Sequence, residues 1–320
     1  MKTLRALFDG FTLALVATVA LAVLLPCEGS AALWLDRLTI AGVALLFFLH
    51  GARLSREAIL AGITNWKLHL LVLASTFAMF PLLGLAMKPL ATALLTPALY
   101  LGLLYLCCLP STVQSSIAFT SIARGNIPAA VCAASLSNLA GVFVTPALVA
   151  LLLSTRGGGS TLHAIGDILL QLLAPFVAGH LLRPWLGRTL ARWHRVLAVT
   201  DRGTILLIVY VAFSESVVDG LWRQVPPDAL FAVFAVVALL LAMVLGLTTL
   251  ASRALGFARE DEIAIVFCGS KKSLASGVPM AKILFAGNPA LGILVLPLML
   301  FHQIQLMACA VLAQRYARRS

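Results

Sequence analysis

Phe267-Cys268-Gly269-Ser270-Lys271-Lys272-Ser273-Leu274-Ala275-Ser276-Gly277 decides how the rest of the chain is read. It lies between two apolar runs, Ile263 to Val266 and Val278 to Phe285. Together these are about long enough to cross a bilayer once, at roughly twenty residues per crossing. Yet the middle holds two adjacent lysines, three serines and two glycines. A lysine at mid-membrane costs about 2.5–3.5 kcal/mol on insertion scales. A chain that keeps two of them there is expected to use at least one. The polar run also predicts a broken helix, whose freed backbone groups must line a cavity or be buried in protein.

Composition agrees with a membrane setting. The chain has 320 residues, 61% hydrophobic and 11% charged, with a mean hydropathy of +1.03. That composition is polytopic, α-helical and membrane-embedded. Continuous rather than alternating apolar runs exclude a β-barrel. The net charge of +11 comes without basic runs interleaved with aromatics, so no nucleic-acid partner is expected. Six cysteines show no metal-ligand or disulfide spacing. Residues 1–27 imitate a signal peptide, but Pro26 before Cys27 and the lack of an A-x-A site favour a retained first span.

Ten spans are predicted, at about 7–25, 37–51, 68–87, 92–123, 127–153, 162–183, 201–218, 229–251, 261–286 and 290–314, the fourth and ninth interrupted. With the N-terminus in the cytoplasm, sixteen Lys and Arg fall on the cytoplasmic side. Only Arg37, Lys88, Arg156 and Arg223 fall on the other. This bias follows the positive-inside rule and puts both termini in the cytoplasm of a plasma (inner) membrane protein. Trp34, Trp66, Trp185, Trp193 and Trp222 read as interfacial anchors.

The chain also repeats. Gly125-Asn126 follows the fourth span and Gly287-Asn288 follows the ninth, and a polar run breaks each span at a similar offset. Five spans per half invert the second half. The predicted fold is therefore an all-α polytopic membrane protein of ten transmembrane helices. It divides into two inverted five-helix repeats, 1–155 and 156–320, joined by the glycine-rich linker 154–160. Interrupted segments at matching places in such halves point to a transporter's midplane binding site.

Candidate residues follow from that placement. Lys271 and Lys272 point about 100° apart on a helix, so both cannot face one small pocket. Each can serve as an anion-binding or ion-substituting ammonium, or as a fixed ion pair between helices. Lysines in low-dielectric sites can exchange their proton, which would permit H⁺ coupling. Ser270 and Ser273 flank them. Lys282, near the outer end of the same unit, is expected to snorkel. Glu215 is the plainest intramembrane acid, with Lys271 or Lys272 as its expected partner, or else it sits at the outer interface. Gln114, Ser115 and Ser116 in the first break, and Ser135 and Asn138 on one face of the fifth span, offer oxygens suited to Na⁺. They can equally bond to their own or neighbouring helices. His302 and Gln303 in the tenth span, and Gln171 and His180 in the sixth, rank behind them. No catalytic motif is present, so no enzyme is expected.

Several strings resemble a known family. They are Arg124-Gly125-Asn126, Thr145-Pro146, Gly179-His180-Leu181-Leu182-Arg183-Pro184-Trp185, Phe213-Ser214-Glu215 and, most specifically, Cys268 to Pro279. They resemble the bile acid:sodium symporter family in its SBF-like branch. The resemblance implies a panel domain (helices 1, 2, 6, 7) and a core domain (helices 3–5, 8–10), with the broken helices crossing in the core. It implies alternating access for a small organic anion, driven by Na⁺. The family's sodium ligands would fall near Ser115, Ser116, Ser135, Asn138 and Phe267 to Lys272. Here the chain departs from the pattern. The family's Glu-Val-Gly-x-Gln-Asn motif puts its glutamate at Phe267 and its Gln-Asn at Lys271-Lys272. No cofactor is expected beyond Na⁺ or H⁺ as coupling ion, with Na⁺ use reduced or replaced. The alternative is a non-transporting regulator or scaffold on a transporter fold.

Overall fold

The computed structural model describes residues 10–53, 65–153, 173–186, 192–220 and 227–318. Among them every regular element is helical. In chain order these are α1 Gly10–Leu24, α2 Gly29–Arg53, α3 Trp66–Ala86, α4 Lys88–Leu94, α5 Pro97–Cys108, α6 Gln114–Ile122 and α7 Ile127–Leu153. They continue with α8 (173–186), α9 His194–Val218, α10 Pro227–Ala254, α11 Arg259–Gly269, α12 Leu274–Leu284 and α13 Leu291–Arg318. The linker at 154–160, Gln171, Trp222 and residues 1–9 lie outside the described residues.

Five of the described helices are long and apolar enough to cross a bilayer: α2, α3, α7, α10 and α13. Their outward faces carry an apolar jacket that water would not tolerate, including Leu33, Leu70, Leu82, Leu151, Phe231 and Leu250, each more than half exposed. Trp34, Trp66, Trp185 and Trp193 are exposed as well. Arg37 stacks on Trp34 and Lys67 on Trp66, at 5.6 and 5.9 Å from the ring centroids.

Three expected boundaries are corrected. The second span begins at Gly29 and the seventh at His194, so each is a 25-residue helix. α2 carries straight through Asp36 and Arg37, and α9 starts seven residues before Asp201. The fourth unit does not begin at 92. Residues 88–94 form their own short helix, Leu95 turns extended, and Pro97 opens α5 at N1.

One irregularity inside α3 had no counterpart in the expectations. Residues Ser75–Met79 widen into a π turn, with the Phe80 N–H donating to Ser75 O five residues back. The next residue, Pro81, has no N–H. The carbonyl of Thr76 therefore loses both its possible helical donors and is free to serve another part of the molecule.

The helices pack in two sets of contacts. In one, α9 packs on α1 and α2, and α8 meets α2 through a pair of glycines. A Cβ on Gly51 would lie 1.9 Å from Phe176 O, and one on Gly179 would lie 1.9 Å from Phe48 O. Only the missing side chains let these backbones touch. In the other set, α3, α5, α6, α7, α10, α11 and α13 surround the two interruptions. α5 stops at Cys108 and the chain runs irregularly to Gln114; α11 stops at Gly269 and α12 starts at Leu274.

Candidate functional site

The two interruptions touch, and several polar groups freed by breaking the helices find partners across the junction or on the helices behind it. From the first break, Ser111 Oγ donates to Cys268 O and Ser116 Oγ donates to Phe267 O at 2.9 Å. From the second, the Ser273 N–H donates to Pro110 O at 2.9 Å. α7 supports the first break from behind. Thr145 Oγ1 donates to Cys108 O (2.8 Å), Asn138 Nδ2 donates to Ser111 O (2.8 Å), and Ser137 Oγ accepts the Ser111 N–H (3.0 Å). A Cβ on Gly141 would press on the Pro110 ring at 2.7 Å, so α7 approaches that closely only with glycine there. α13 supports the second break. The Gln305 side chain accepts the Lys272 N–H and donates to Lys272 O, both at 2.9 Å.

Both lysines are fully buried, and their surroundings differ. The Lys272 ammonium donates to three carbonyls: Thr76 O at 2.8 Å, Cys107 O at 2.9 Å and Leu109 O at 2.6 Å. Its three N–H bonds are thus used up. The ring of Phe80 covers it at 4.0 Å. The Thr76 carbonyl is the one freed by the π turn and Pro81. Those of Cys107 and Leu109 are end-of-helix carbonyls of α5. Lys271 is held more loosely. Its ammonium makes one 3.4 Å hydrogen bond to Ser115 Oγ and lies 4.0 Å from the Phe119 ring and 5.5 Å from the Phe267 ring. Among the described residues no carboxylate pairs with either ammonium.

Beside the junction is a cavity of about 460 Å³, a size suited to a small organic molecule. The interruptions and their supports supply Thr112, Gln114, Ser115, Ser135, Asn138, Ser273, Ser276 and His302 to its wall. The facing wall comes from α1, α2, α8 and α9, with Phe11, Leu46, Phe47, His50, Phe176, Asp201, Arg202 and Ile205. Most of the lining is apolar, and polar groups are gathered on the junction side and at the mouth. Gln114, Ala275 and Arg202 are solvent-reached. The mouth therefore lies toward the end that carries His50 and Arg202.

The expected site residues separate accordingly. Gln114, Ser115, Ser135, Asn138, Ser273 and His302 line the cavity. Ser116 and Ser270 do not; the first bonds to Phe267 O and the second to Val266 O at 2.6 Å, on its own helix. Gln303 is absent from the wall, while its neighbour Gln305 is fully buried in the junction. Neither lysine faces the cavity, so the expectation that one would is corrected. Ser115, which does face it, stands between Lys271 and the space.

The pairing expected for Glu215 is also corrected. Its nearest ammonium is Lys282, at 3.9 Å, and Lys282 makes a closer contact, 2.6 Å, with Asp36. Lys282 does not snorkel outward, because its side chain is only 10% exposed. His50, Asp201 and Arg202 were missed as cavity residues. The available signal was an adjacent Asp-Arg pair at the start of the expected seventh span, of which Arg202 entered only the count of cytoplasmic-side charge.

A jacket of apolar helices around a solvent-reached cavity, beside two interrupted helices that meet in the core, is the build of a membrane transporter. The chain belongs to the SBF-like CPA transporter family, whose model matches residues 9–318. It is 62% identical over 320 residues to "Uncharacterized protein PA2026" of Pseudomonas aeruginosa, covering all of this chain and 96% of that protein. It is 53% identical over 320 residues to "Putative symporter YfeH" of Escherichia coli (strain K12), with the same coverage. It is 29% identical over 272 residues to "Sodium/bile acid cotransporter 7" of Rattus norvegicus, covering 84% of this chain and 80% of that protein.

Proposed function

We propose that this protein is a secondary active transporter of the plasma membrane. It would move a small organic anion by alternating access, with ten spans in two inverted repeats and both termini in the cytoplasm. The cavity carries this reading. It lies between the helices expected to form the panel and those expected to form the core, has an apolar body that suits an organic skeleton, and holds Arg202 at its mouth. A scaffold on the same fold would have no need to retain such a space. The sidedness of the basic residues supports a cytoplasmic mouth in the conformation described.

The coupling ion is the second part of the proposal. A hard cation such as Na⁺ takes carbonyl, hydroxyl and carboxylate oxygens. At the junction, three carbonyls that could serve are taken by the Lys272 ammonium, and the position of the family's carboxylate is Phe267. The donor set thus fits a resident ammonium better than a pair of sodium ions. Lys272 acts as a fixed charge in place of one bound cation. Lys271, with fewer bonds, is the group able to exchange a proton. Among the described residues, Ser115, Ser135 and Asn138 remain the candidate Na⁺ oxygens, although Ser115 Oγ already accepts from Lys271 and Asn138 Oδ1 from Ser276, with Ser116 turned away to Phe267 O.

The test is uptake into proteoliposomes under imposed Na⁺ or H⁺ gradients, with substrates nominated by thermal-shift screening against organic acids. Uptake driven by H⁺, or by at most one Na⁺, is the expected result. Strict dependence on two or more Na⁺ per cycle would overturn the coupling scheme. Failure of every organic acid to stabilise the protein or to enter would overturn the anion reading.

A further inference from the structure

The cavity mouth and the Lys282 cluster stand at opposite ends of the same two helices. On α2, Asp36 and His50 are about 21 Å apart along the axis; on α9, Arg202 and Glu215 are about 20 Å apart, at 1.5 Å per residue. His50 and Arg202 border the open space. Asp36 instead contacts an ammonium from α12, one half of the broken pair, at 2.6 Å, with Glu215 3.9 Å from it and both carboxylates partly exposed. Beside them α9 is tight against the start of α13. Ser216 Oγ donates to Pro289 O at 2.9 Å and accepts the Gly292 N–H at 3.2 Å. A Cβ on Gly292 would meet Ser216 Oγ at 2.7 Å and Ala212 O at 2.9 Å. The same pair of helices is therefore separated from the broken helices at one end and closed onto them at the other.

We infer that Lys282 is the latch of the outer gate, holding α12 to α2 and α9 through Asp36 and Glu215 while the cavity faces the Arg-rich side. Two features make it a latch and not an incidental surface pair. The ammonium is mostly withdrawn from solvent, with its side chain 10% exposed, so leaving the carboxylates requires the helices to part. Its two partners come from two different helices of the facing set, so one movement of α12 breaks both contacts. A cavity open to the outer side cannot coexist with this cluster, because the cluster and the Ser216 seam occupy the outer approach. Lys282 thus biases the resting conformation toward the inner side and need not touch the transported solute.

This inference rests on the alternating-access reading, and the experiment separates the two. Ala275, which lines the cavity and is solvent-reached, is replaced by cysteine as a reporter; the six native cysteines are buried and set the background. Labelling by a membrane-impermeant maleimide is then measured in right-side-out and inside-out vesicles. With Lys282 intact, Ala275→Cys should label from the inner face only. Adding Lys282→Gln should raise the labelling rate from the outer face by roughly tenfold. Asp36→Asn and Glu215→Gln should each give a smaller rise. The exchange Lys282→Asp with Asp36→Lys should return labelling toward the starting pattern. No outer-face gain in Lys282→Gln or in the two milder variants, each with an unchanged thermal midpoint, overturns the latch. Equal labelling from both faces before any change at Lys282 overturns the alternating-access reading itself. If Lys282→Gln fails to fold, Asp36→Asn and Glu215→Gln decide the question, since they weaken the contact without removing the buried ammonium.

Discussion

The two interruptions differ in what they bring to the junction: the first presents the carbonyls of Leu109, Pro110 and Ser111, and the second presents the two lysine ammonium groups. At the first, Leu109 O, Pro110 O and Ser111 O all accept hydrogen bonds, while Ser111 also donates through its N–H and its Oγ. Residues 270–273 offer donors: two ammonium groups and the backbone N–H groups of Lys272 and Ser273. A broken helix in a membrane is costly because its loose groups have no water to turn to. Here the loose groups are taken up partly by the other break and partly by α3, α7 and α13. Within the second break the division continues, because Lys272 is saturated by carbonyls and Lys271 is not. The lesson is that two adjacent residues of one type can divide between holding the fold and remaining available for chemistry.

The largest effect is expected at the saturated lysine. Lys272→Ala leaves three buried carbonyls without donors, each worth about 1–3 kcal/mol. Folded protein recovered in detergent should fall sharply, and what survives should regain thermal stability with added Na⁺ or methylammonium, which can enter the vacated carbonyl cage. Indifference to such cations would mean the cage collapses and does not behave as a cation site. Gln305→Leu comes next. It strips two hydrogen bonds from the Lys272 backbone and should cost about 2–3 kcal/mol by thermal or denaturant unfolding, at about 1 kcal/mol per bond and more for buried groups left open. Ser111→Ala should cost about 1–2 kcal/mol by the same measurement, since Cys268 O loses its donor across the junction.

Lys271→Met tests the comparison most directly. Its ammonium has one long hydrogen bond and two ring contacts, so the change in stability should be within about 1 kcal/mol. Uptake should nonetheless be lost in proteoliposomes. A fall in stability as large as that of Lys272→Ala would show that the two lysines share one structural role. The smallest effect is at Arg124, whose φ of 60° is unusual for a residue with a Cβ. Arg124→Gly should raise the thermal midpoint by the equivalent of up to about 1 kcal/mol.

The breaks and the buried lysines could be read from sequence because charge inside an apolar run has few explanations. Their partners could not. The donors and acceptors that satisfy the junction come from α3, α5, α7 and α13, far along the chain, and nothing local marks Thr76 O as free. The π turn arises from the register before Pro81 and leaves no compositional trace. Lys282 was set aside because it stands alone near the end of its helix, while Asp36 lies in another element entirely; only packing joins them. The Gly-Asn pairs misled in detail. Asn126 and Asn288 do accept nearby backbone N–H groups, from Ala129 and Ala290. The positive φ, however, falls on Gly287 in one case and on Arg124, one position earlier, in the other. The likeness of the turns is one of sequence more than of local geometry.

The contact between Gly51 and Gly179 limits how the molecule can move. Where two backbones touch with no side chains between them, neither helix can slide or roll past the other without a collision. α2 and α8 are thus bolted into one rigid plate. His50, Phe47 and Phe176 are carried on it together, so any movement of this part of the cavity wall is expected to carry all three.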